Sequence, residues 1–192
     1  MNDIVLIGGG GHCKAVIDVI EQESRFNIIG LVDKPELFGK KVLGYQVMGN
    51  DAELKNLFKN CKNALITIGQ IKSPLLRIKL FDAVVKLGFT LPSVVSPRAY
   101  VSEHATIGKG SIIMHNAVIN AGAIIGDNCI INSNALVEHD SNIGNHCHIS
   151  TNAVINGGVV LGNGGFIGSG AITKENIRIK DNFFAKAGTV VK

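Results

Sequence analysis

The chain has 192 residues, of which 46% are hydrophobic and 18% are charged. This composition excludes a disordered chain and allows one or two small domains with buried cores. The net charge of +4 is mild and only 5% of residues are aromatic. We therefore expect no nucleic-acid partner, whereas an anionic small substrate fits the charge. No apolar run reaches about 18 residues and no basic leader precedes an apolar segment, so we expect no membrane span and a cytoplasmic location.

Residues 1–92 are predicted to form a small α/β domain. Short apolar runs alternate with amphipathic stretches, so strands and helices alternate along the chain. This order predicts a Rossmann-like βαβαβ subdomain with parallel strands. The predicted elements are strands at 4–7, 28–32 and 64–68, and helices at 13–21, 49–59 and 74–87.

A glycine-rich turn, residues 8–11, separates the first strand from the first helix. Backbone N–H groups at such a turn, together with a helix N-terminus, can cradle a phosphate. The dinucleotide fingerprint is incomplete, because its third glycine position holds Cys13. We interpret the domain as half a Rossmann fold that binds a mononucleotide, with Asp33 placed to meet a ribose hydroxyl. The alternative is a purely structural lid on the open edge of the domain that follows.

From Val95 onward the sequence repeats every six residues. Of the 17 positions spaced six apart from Val95 to Val191, 15 are Ile, Val or Leu, and 13 of the 16 positions beginning at Ala99 are small. A six-residue period spreads apolar positions around a helix axis and does not match the alternation of a plain sheet. It is typical of a parallel β-helix, which we predict for residues 93–192.

A slower repeat indicates the shape of this β-helix. Glycines recur every 18 residues, at Gly108, Gly126, Gly144 and Gly162. Three hexads therefore make one coil of a triangular prism, and residues 18 apart stack roughly 4.8 Å from each other. By this rule Cys129 and Cys147 stack inside the prism as a reduced pair of small core residues.

His139 is the strongest candidate for chemistry in the prism. It occupies an outward position between Ala121 and Gly157 of the neighbouring coils, so we expect open space beside its ring. A carboxylate next to it, Asp140 or Glu138, can orient the ring and raise its basicity. An ordinary solvated surface histidine is the alternative.

The His146-x-His148 sequence raises a metal site as another alternative. Such a site needs three imidazoles that converge on one ion. Because His139, His146 and His148 fall at different positions within their hexads, we expect no metal.

An outward aliphatic stripe runs along one face of the predicted prism: Val118, Leu136, Val154 and Ile172. A soluble monomer does not normally expose such a stripe. We predict an oligomer interface, and a three-sided prism favours a trimer. Cover by the N-terminal domain is the alternative.

Four segments carry a resemblance to a known family: Gly10-Gly11-His12, Val32-Asp33-Lys34, Ile68-Gly69-Gln70 with Arg77, and residues 132–148 with Glu138-His139-Asp140. Over essentially its whole length the chain resembles the left-handed β-helix acyltransferases that N-acetylate the 4-amino group of nucleotide-linked 4-amino-sugars of the bacillosamine, legionaminic acid and perosamine type. Sialic-acid O-acetyltransferases are close cousins. The resemblance implies a left-handed helix, a homotrimer, acetyl-CoA as co-substrate and a role in surface-glycan biosynthesis.

The resemblance also implies roles for individual residues. His139 would be the general base for the sugar amine, Asp140 the acid that raises its basicity, and Asn132 a polar partner beside the reacting groups. Four residues would lie along acetyl-CoA between two subunits: His148, Gly157, Ser169 and Ala187. Six residues would hold the nucleotide of the sugar: Gly10, Gly11, His12, Asp33, Lys34 and Gly69.

Three functions stay open at this point. The first is N-acetylation of a nucleotide-linked 4-amino-4,6-dideoxy sugar, the second is O-acetylation of a sialic-acid-like sugar, and the third is a non-catalytic prism that binds a sugar nucleotide. The sequence does not choose between a UDP-linked, a GDP-linked and a CDP-linked substrate.

Overall fold

The computed structural model describes all 192 residues and divides them into two compact units. The first unit comprises Met1–Gly69 and Leu76–Pro92, and the second comprises Gln70–Leu75 and Ser93–Lys192. No helix in the structure combines the length and the apolarity needed to cross a membrane.

The first unit is an α/β layer around a five-stranded sheet. The strand order is β3-β4-β2-β1-β5, with β3 antiparallel to β4 and the other pairs parallel. Its core is built from the apolar strand residues and the buried sides of the helices. Its elements are β1 (Asn2–Ile7), α1 (Gly11–Glu23), β2 (Phe26–Val32), β3 (Lys41–Val42), β4 (Tyr45–Gly49), α2 (Leu54–Asn60), β5 (Asn63–Ile66) and α3 (Leu75–Lys86).

The predicted helix at 49–59 is wrong at its start, and the β3–β4 hairpin has no predicted counterpart. Gly49 ends a strand, and a 3₁₀ turn, Asp51–Glu53, precedes α2. The Asn50 side chain accepts a hydrogen bond from the Ala52 N–H (2.9 Å), which caps this turn and separates strand from helix. Because β3 has only two residues, periodicity gives no signal for it.

The second unit contains 17 strands of two residues each, stacked as a parallel β-helix. They are β6 (Val94–Val95), β7 (Tyr100–Val101), β8 (Thr106–Ile107), β9 (Ile112–Ile113), β10 (Val118–Ile119), β11 (Ile124–Ile125), β12 (Ile130–Ile131), β13 (Leu136–Val137), β14 (Asn142–Ile143), β15 (His148–Ile149), β16 (Val154–Ile155), β17 (Val160–Leu161), β18 (Phe166–Ile167), β19 (Ile172–Thr173), β20 (Arg178–Ile179), β21 (Phe184–Ala185) and β22 (Val190–Val191).

These strands form three sheets, one on each face of the prism. Face A holds β6, β9, β12, β15, β18 and β21; face B holds β7, β10, β13, β16, β19 and β22; face C holds β8, β11, β14, β17 and β20. Each strand pairs in parallel with the strand 18 residues away, as Val118 pairs with Leu136 and Leu136 with Val154. The 18-residue coil predicted from the glycine spacing is confirmed.

The corners between faces depend on left-handed backbone. From residue 110 to residue 188 every sixth residue has a positive φ, and each is Gly, Asn, Asp or His. These are the residues that adopt the left-handed region at least cost. Asp140, with φ of 59°, is one of them, at the corner where face B turns into face C.

The interior of the prism is apolar and closely packed. From Ile113 onward the hexad aliphatic residues and most of the small residues between them form one continuous buried core, against which the first coil packs partly buried. Cys129 and Cys147 are free, buried and stacked, as predicted, and their thiols donate to the carbonyls of Gly144 and Gly162 at 3.1 Å. The neighbouring Cys129 thiol and burial raise the pKa of Cys147, so this thiol stays protonated.

Candidate active site

His139 and Asp140 form a paired side-chain unit at the corner between faces B and C. They follow β13 directly, and the left-handed backbone of Asp140 turns its carboxylate back toward the ring. His139 Nδ1 lies 2.8 Å from Asp140 Oδ2, and the two side chains are 65% and 73% exposed. The ring nitrogen Nδ1 donates to the carboxylate, which leaves Nε2 with a lone pair.

The surroundings of His139 make it a stronger base. The hydrogen bond that His139 donates to Asp140 raises the pKa of His139 above its ordinary value, and the charges of Asp140 and Glu138 act in the same direction. Glu138 is held in place by Asn120, whose Nδ2 donates to Glu138 Oε2 at 2.7 Å. The space beside Gly157 is taken by the ring itself, since a Cβ on Gly157 would lie 2.8 Å from Nε2. The His139 ring can therefore occupy this position because Gly157 has no side chain.

Asn132 and His148 form a second cluster where face A ends. His148 is buried, and its Nδ1 lies 2.6 Å from the carbonyl oxygen of Gln70. Its Nε2 lies 3.3 Å from Asn132 Nδ2, and its ring packs edge-on against Phe166 with centroids 5.2 Å apart. Asn132 Oδ1 in turn accepts the N–H of Ser133 at 2.8 Å. Asn132 is half-buried whereas His148 is buried, so the Asn132 carboxamide is the more accessible of the two side chains.

One chain does not bring all the predicted site residues of the prism together. Asn132, Ser169 and Ala187 lie at the corner between faces A and B, where Ser169 and Ala187 are exposed and stacked one coil apart. His139 and Gly157 lie at the next corner, between faces B and C. The whole width of face B separates the two groups. A site that uses both corners needs a second copy of the chain.

In the first unit, a cavity of about 380 Å³ opens at the carboxyl ends of the strands. Asp33 and Lys34, two of the predicted nucleotide residues, line it directly after β2. The Asp33 carboxylate accepts the N–H of Gly9 (2.5 Å) and of Lys34 (2.7 Å), so it also fixes the glycine turn. Asn50 and Asp51 line the same cavity and were not among the predicted residues; both follow β4, the strand that periodicity misses.

The glycine turn leaves its middle open. Gly8 must be glycine, because its φ is 104° and a Cβ there would lie 2.3 Å from an Ile68 side-chain carbon. A Cβ on Gly10 or Gly11 would meet no atom within 4 Å. The structure also places Gly69 beside His12, since a Cβ on Gly69 would lie 3.4 Å from that of His12. None of Gly10, Gly11, His12 and Gly69 lines the 380 Å³ cavity itself.

No group of three or more His, Cys, Asp or Glu residues in the structure is arranged to hold a metal ion. The three histidines of the metal alternative have separate partners: Asp140 for His139, Asn128 for His146 at 3.0 Å, and Gln70 with Asn132 for His148.

A parallel β-helix of hexads with a basic His–Asp pair at one corner defines a hexapeptide-repeat acyltransferase, and comparison with known proteins agrees. The PglD N-terminal domain family matches residues 3–84, and the bacterial transferase hexapeptide family (six repeats) matches residues 94–139. Among curated protein sequences, none matches the chain significantly.

Solved structures extend the similarity to the whole chain. PerB from Caulobacter crescentus, crystallised with CoA and GDP-perosamine, is 33% identical with a TM-score of 0.93, over 100% of this chain and 89% of that chain. The acetyltransferase domain of PglB from Neisseria gonorrhoeae is 28% identical with a TM-score of 0.90, over 100% of this chain and 92% of that chain. WeeI from Acinetobacter baumannii, 21% identical over 100% of this chain and 97% of that chain with a TM-score of 0.79, shows the fold alone.

The chain therefore belongs to the family of left-handed β-helix sugar acetyltransferases that carry a PglD-type N-terminal domain. The predicted family, the predicted fold class and the prediction of an acyltransferase are confirmed. The expectation of acetyl-CoA as co-substrate agrees with the CoA and acetyl-CoA complexes of the similar structures.

Proposed function

We propose that this protein transfers the acetyl group of acetyl-CoA to the 4-amino group of a nucleotide-linked 4-amino-4,6-dideoxy sugar. The observation that carries the proposal is the His139–Asp140 pair on an acyltransferase prism, in which a largely exposed histidine has a raised pKa and keeps Nε2 free of the bond to Asp140. A similar structure, 33% identical, is named a GDP-perosamine N-acetyltransferase.

In the proposed reaction the sugar amine attacks the thioester carbonyl carbon of acetyl-CoA. Nε2 of His139 takes the proton that the nitrogen loses as the new C–N bond forms. The C–S bond then breaks, and the sulfur leaves as CoA thiol with the proton returned by the His139 imidazolium. Direct attack needs no nucleophilic cysteine, in keeping with the burial of all four cysteines. A positioned general base contributes about 10²–10⁴-fold to such a reaction.

The first unit is proposed to bind the nucleotide of the substrate. Asp33 and Lys34 line its cavity of about 380 Å³ at the carboxyl ends of parallel strands, where α/β sheets usually bind nucleotides. We assign the diphosphate to the open glycine turn of Gly10 and Gly11, with His12 and Gly69 beside it. The choice between UDP and GDP then falls to the remaining polar groups of the cavity, Asn50 and Asp51.

Acetyl-CoA is proposed to lie between two copies of the chain in a homotrimer. His148, Ser169 and Ala187 lie at or beside one corner and Gly157 at the other, so two apposed copies offer both sets to one groove. The apolar stripe predicted on face B supports such packing. It continues into Tyr100 and Val190, which are 58% and 63% exposed, and Ile172 is 42% exposed.

The experiment that tests the proposal measures release of CoA thiol from acetyl-CoA. The acceptor panel contains UDP- and GDP-linked 4-amino-4,6-dideoxy sugars and, for comparison, sialic acid. We expect release with at least one nucleotide amino-sugar and an N-acetylated product by mass spectrometry. Release with sialic acid alone would indicate an O-acetyltransferase, and release with none of them would indicate a non-catalytic sugar-nucleotide-binding prism.

A further inference from the structure

The segment Gln70–Leu75, here called the strap, packs on the prism beside His148. Gln70 is 3% exposed, and its side-chain Nε2 donates to the carbonyl of Gly164 at 3.3 Å. Pro74 lies against the same residue, since a Cβ on Gly164 would be 3.1 Å from the Pro74 ring. One end of the strap is thus held by a hydrogen bond from Gln70, and Pro74, near its other end, lies over Gly164, which has no side chain.

The strap dictates which nitrogen of His148 carries the proton. The Gln70 carbonyl oxygen can only accept a hydrogen bond, so His148 Nδ1, 2.6 Å away, must be the donor. In the neutral ring the other nitrogen, Nε2, is then an acceptor.

The contacts of Asn132, on the other side of the His148 ring, require the same Nδ1–H tautomer of His148. The Ser133 N–H can only donate, and it points at Asn132 Oδ1 (2.8 Å). The amide nitrogen of Asn132 therefore faces His148, at 3.3 Å from Nε2, and needs an acceptor there. Two fixed backbone groups, Gln70 C=O and Ser133 N–H, independently set the same orientation of the side chains between them.

We infer that Gln70 is a positioning residue for acyl transfer: its side chain anchors the strap, whose carbonyl fixes His148 in the Nδ1–H form and thereby keeps the Asn132 carboxamide nitrogen in place. The second N–H of Asn132 is then the fixed donor at this corner. If His148 instead carried its proton on Nε2, two donors would face each other. The Asn132 amide would have to turn over and would lose the Ser133 hydrogen bond. The inference rests on the proposed function insofar as Asn132 and His148 act in that reaction.

The test uses the full-length protein with two variants, Gln70→Glu and Gln70→Met. Glutamate keeps the shape but, when ionised, removes the donor to Gly164, and methionine keeps the buried volume without any polar atom. Gln46→Glu, at an exposed position of β4, is the matched control. Protein labelled with ¹⁵N-histidine reports the tautomer by NMR, with the His148 signals assigned by their loss in His148→Gln.

We expect wild-type His148 to carry its proton on Nδ1, and both Gln70 variants to populate the other tautomer. The kcat for CoA release should fall about tenfold in both variants, the effect expected for loss of one hydrogen bond at the reacting groups. The KM for acetyl-CoA should stay within about twofold, because the anchor orders the site rather than binding the co-substrate. Gln46→Glu should match the wild type in all three measurements.

Three outcomes would overturn the inference: a wild-type His148 protonated on Nε2, variants that keep the Nδ1–H tautomer, or variants that change the tautomer and keep kcat. If Gln70→Glu does not fold, as judged by thermal unfolding, Gln70→Met decides the matter. A wild-type protein that acetylates no acceptor would count against the proposed function, whereas the tautomer measurement would still decide whether Gln70 positions His148.

Discussion

At the scale of single residues, the chemistry depends on how the corner of the prism presents His139. The left-handed backbone at Asp140 brings a carboxylate within 2.8 Å of Nδ1, and the missing side chain at Gly157 leaves room for the ring. A second exposed histidine lies beside an acid on the same prism: His104 Nε2 is 3.5 Å from Glu103. This pair lacks the short Nδ1 contact, so it serves as a control.

Replacing His139 with alanine should lower kcat by about 10²–10⁴-fold, the usual contribution of a general base. The fold should be unaffected because the side chain is largely exposed. Steady-state CoA release measures the expected loss of kcat, and thermal unfolding checks that the fold is unaffected. His104→Ala should keep wild-type activity, and full turnover in a folded His139→Ala protein would refute the base assignment.

Asp140→Asn should shift the acid limb of the pH profile to lower pH. The carboxylate stabilises the imidazolium and so raises the pKa of His139; a neutral amide removes that stabilisation, and the ring stays unprotonated down to lower pH. A weaker base also transfers the proton less readily, so the plateau of kcat/KM should fall. Asparagine tolerates the left-handed backbone at this position, which preserves the corner. An acid limb that stays in place would show that Asp140 does not set the basicity.

At the scale of elements, the strands of the prism were predicted, whereas its left-handed corners were not among the predictions. The hexads give the strands, because from Ile113 onward the inward aliphatic residues are buried in one continuous core, and the first three, Val95, Val101 and Ile107, pack against it partly buried. Thr173 breaks the aliphatic pattern without breaking the fold, since it is buried and its hydroxyl oxygen accepts the N–H of Asn156 at 2.9 Å. The recurrence of Gly, Asn, Asp or His at every sixth position nevertheless indicates left-handed backbone at the corners.

The site was predictable only where it follows from local sequence. The Glu138-His139-Asp140 tripeptide predicts a histidine paired with a carboxylate, because residues that are adjacent in sequence at a tight corner are also close in space. The contact of His148 with Gln70 joins residues 78 apart, and no periodicity or spacing rule points to it. Asn50 and Asp51 were missed for a similar reason, since they enter the cavity only through the short β3–β4 hairpin.

Gly126→Ala should destabilise the prism, because a Cβ at this glycine would clash with the next coil. A Cβ on Gly126 would lie 2.8 Å from the Asn145 backbone nitrogen, and its φ is not positive, so the cost is steric. We expect a loss of about 2–3 kcal/mol in the free energy of unfolding, the upper part of the range for overpacked sites, because the blocking atoms belong to the backbone. Gly170→Ala is the comparison: its Cβ would meet no atom within 4 Å, and only the left-handed backbone penalty of about 1–2 kcal/mol applies. Denaturant unfolding of both variants checks the order, and an equal or larger loss for Gly170→Ala would contradict it.

At the scale of the whole molecule, the position of the candidate residues is what favours an assembly. Asn132 precedes β13 and His139 follows it, so the same face that carries the apolar stripe also separates the two parts of the proposed site. The proposed cyclic trimer would account for both features together, because each interface would cover one stripe and appose unlike corners of two chains.

Mixing two inactive variants should therefore restore activity. In His139→Ala one corner is disabled and in Asn132→Ala the other, so each homotrimer has only defective sites. After unfolding and refolding together at equal concentration, about one interface in four receives an intact His139 from one chain and an intact Asn132 from its neighbour, by random assembly of a cyclic trimer. We expect about a quarter of wild-type CoA release from the mixture, and none from the same variants refolded separately and then combined without subunit exchange. A refolded mixture that stays inactive, with trimers shown by sedimentation, would place the whole site within one chain and refute the shared groove.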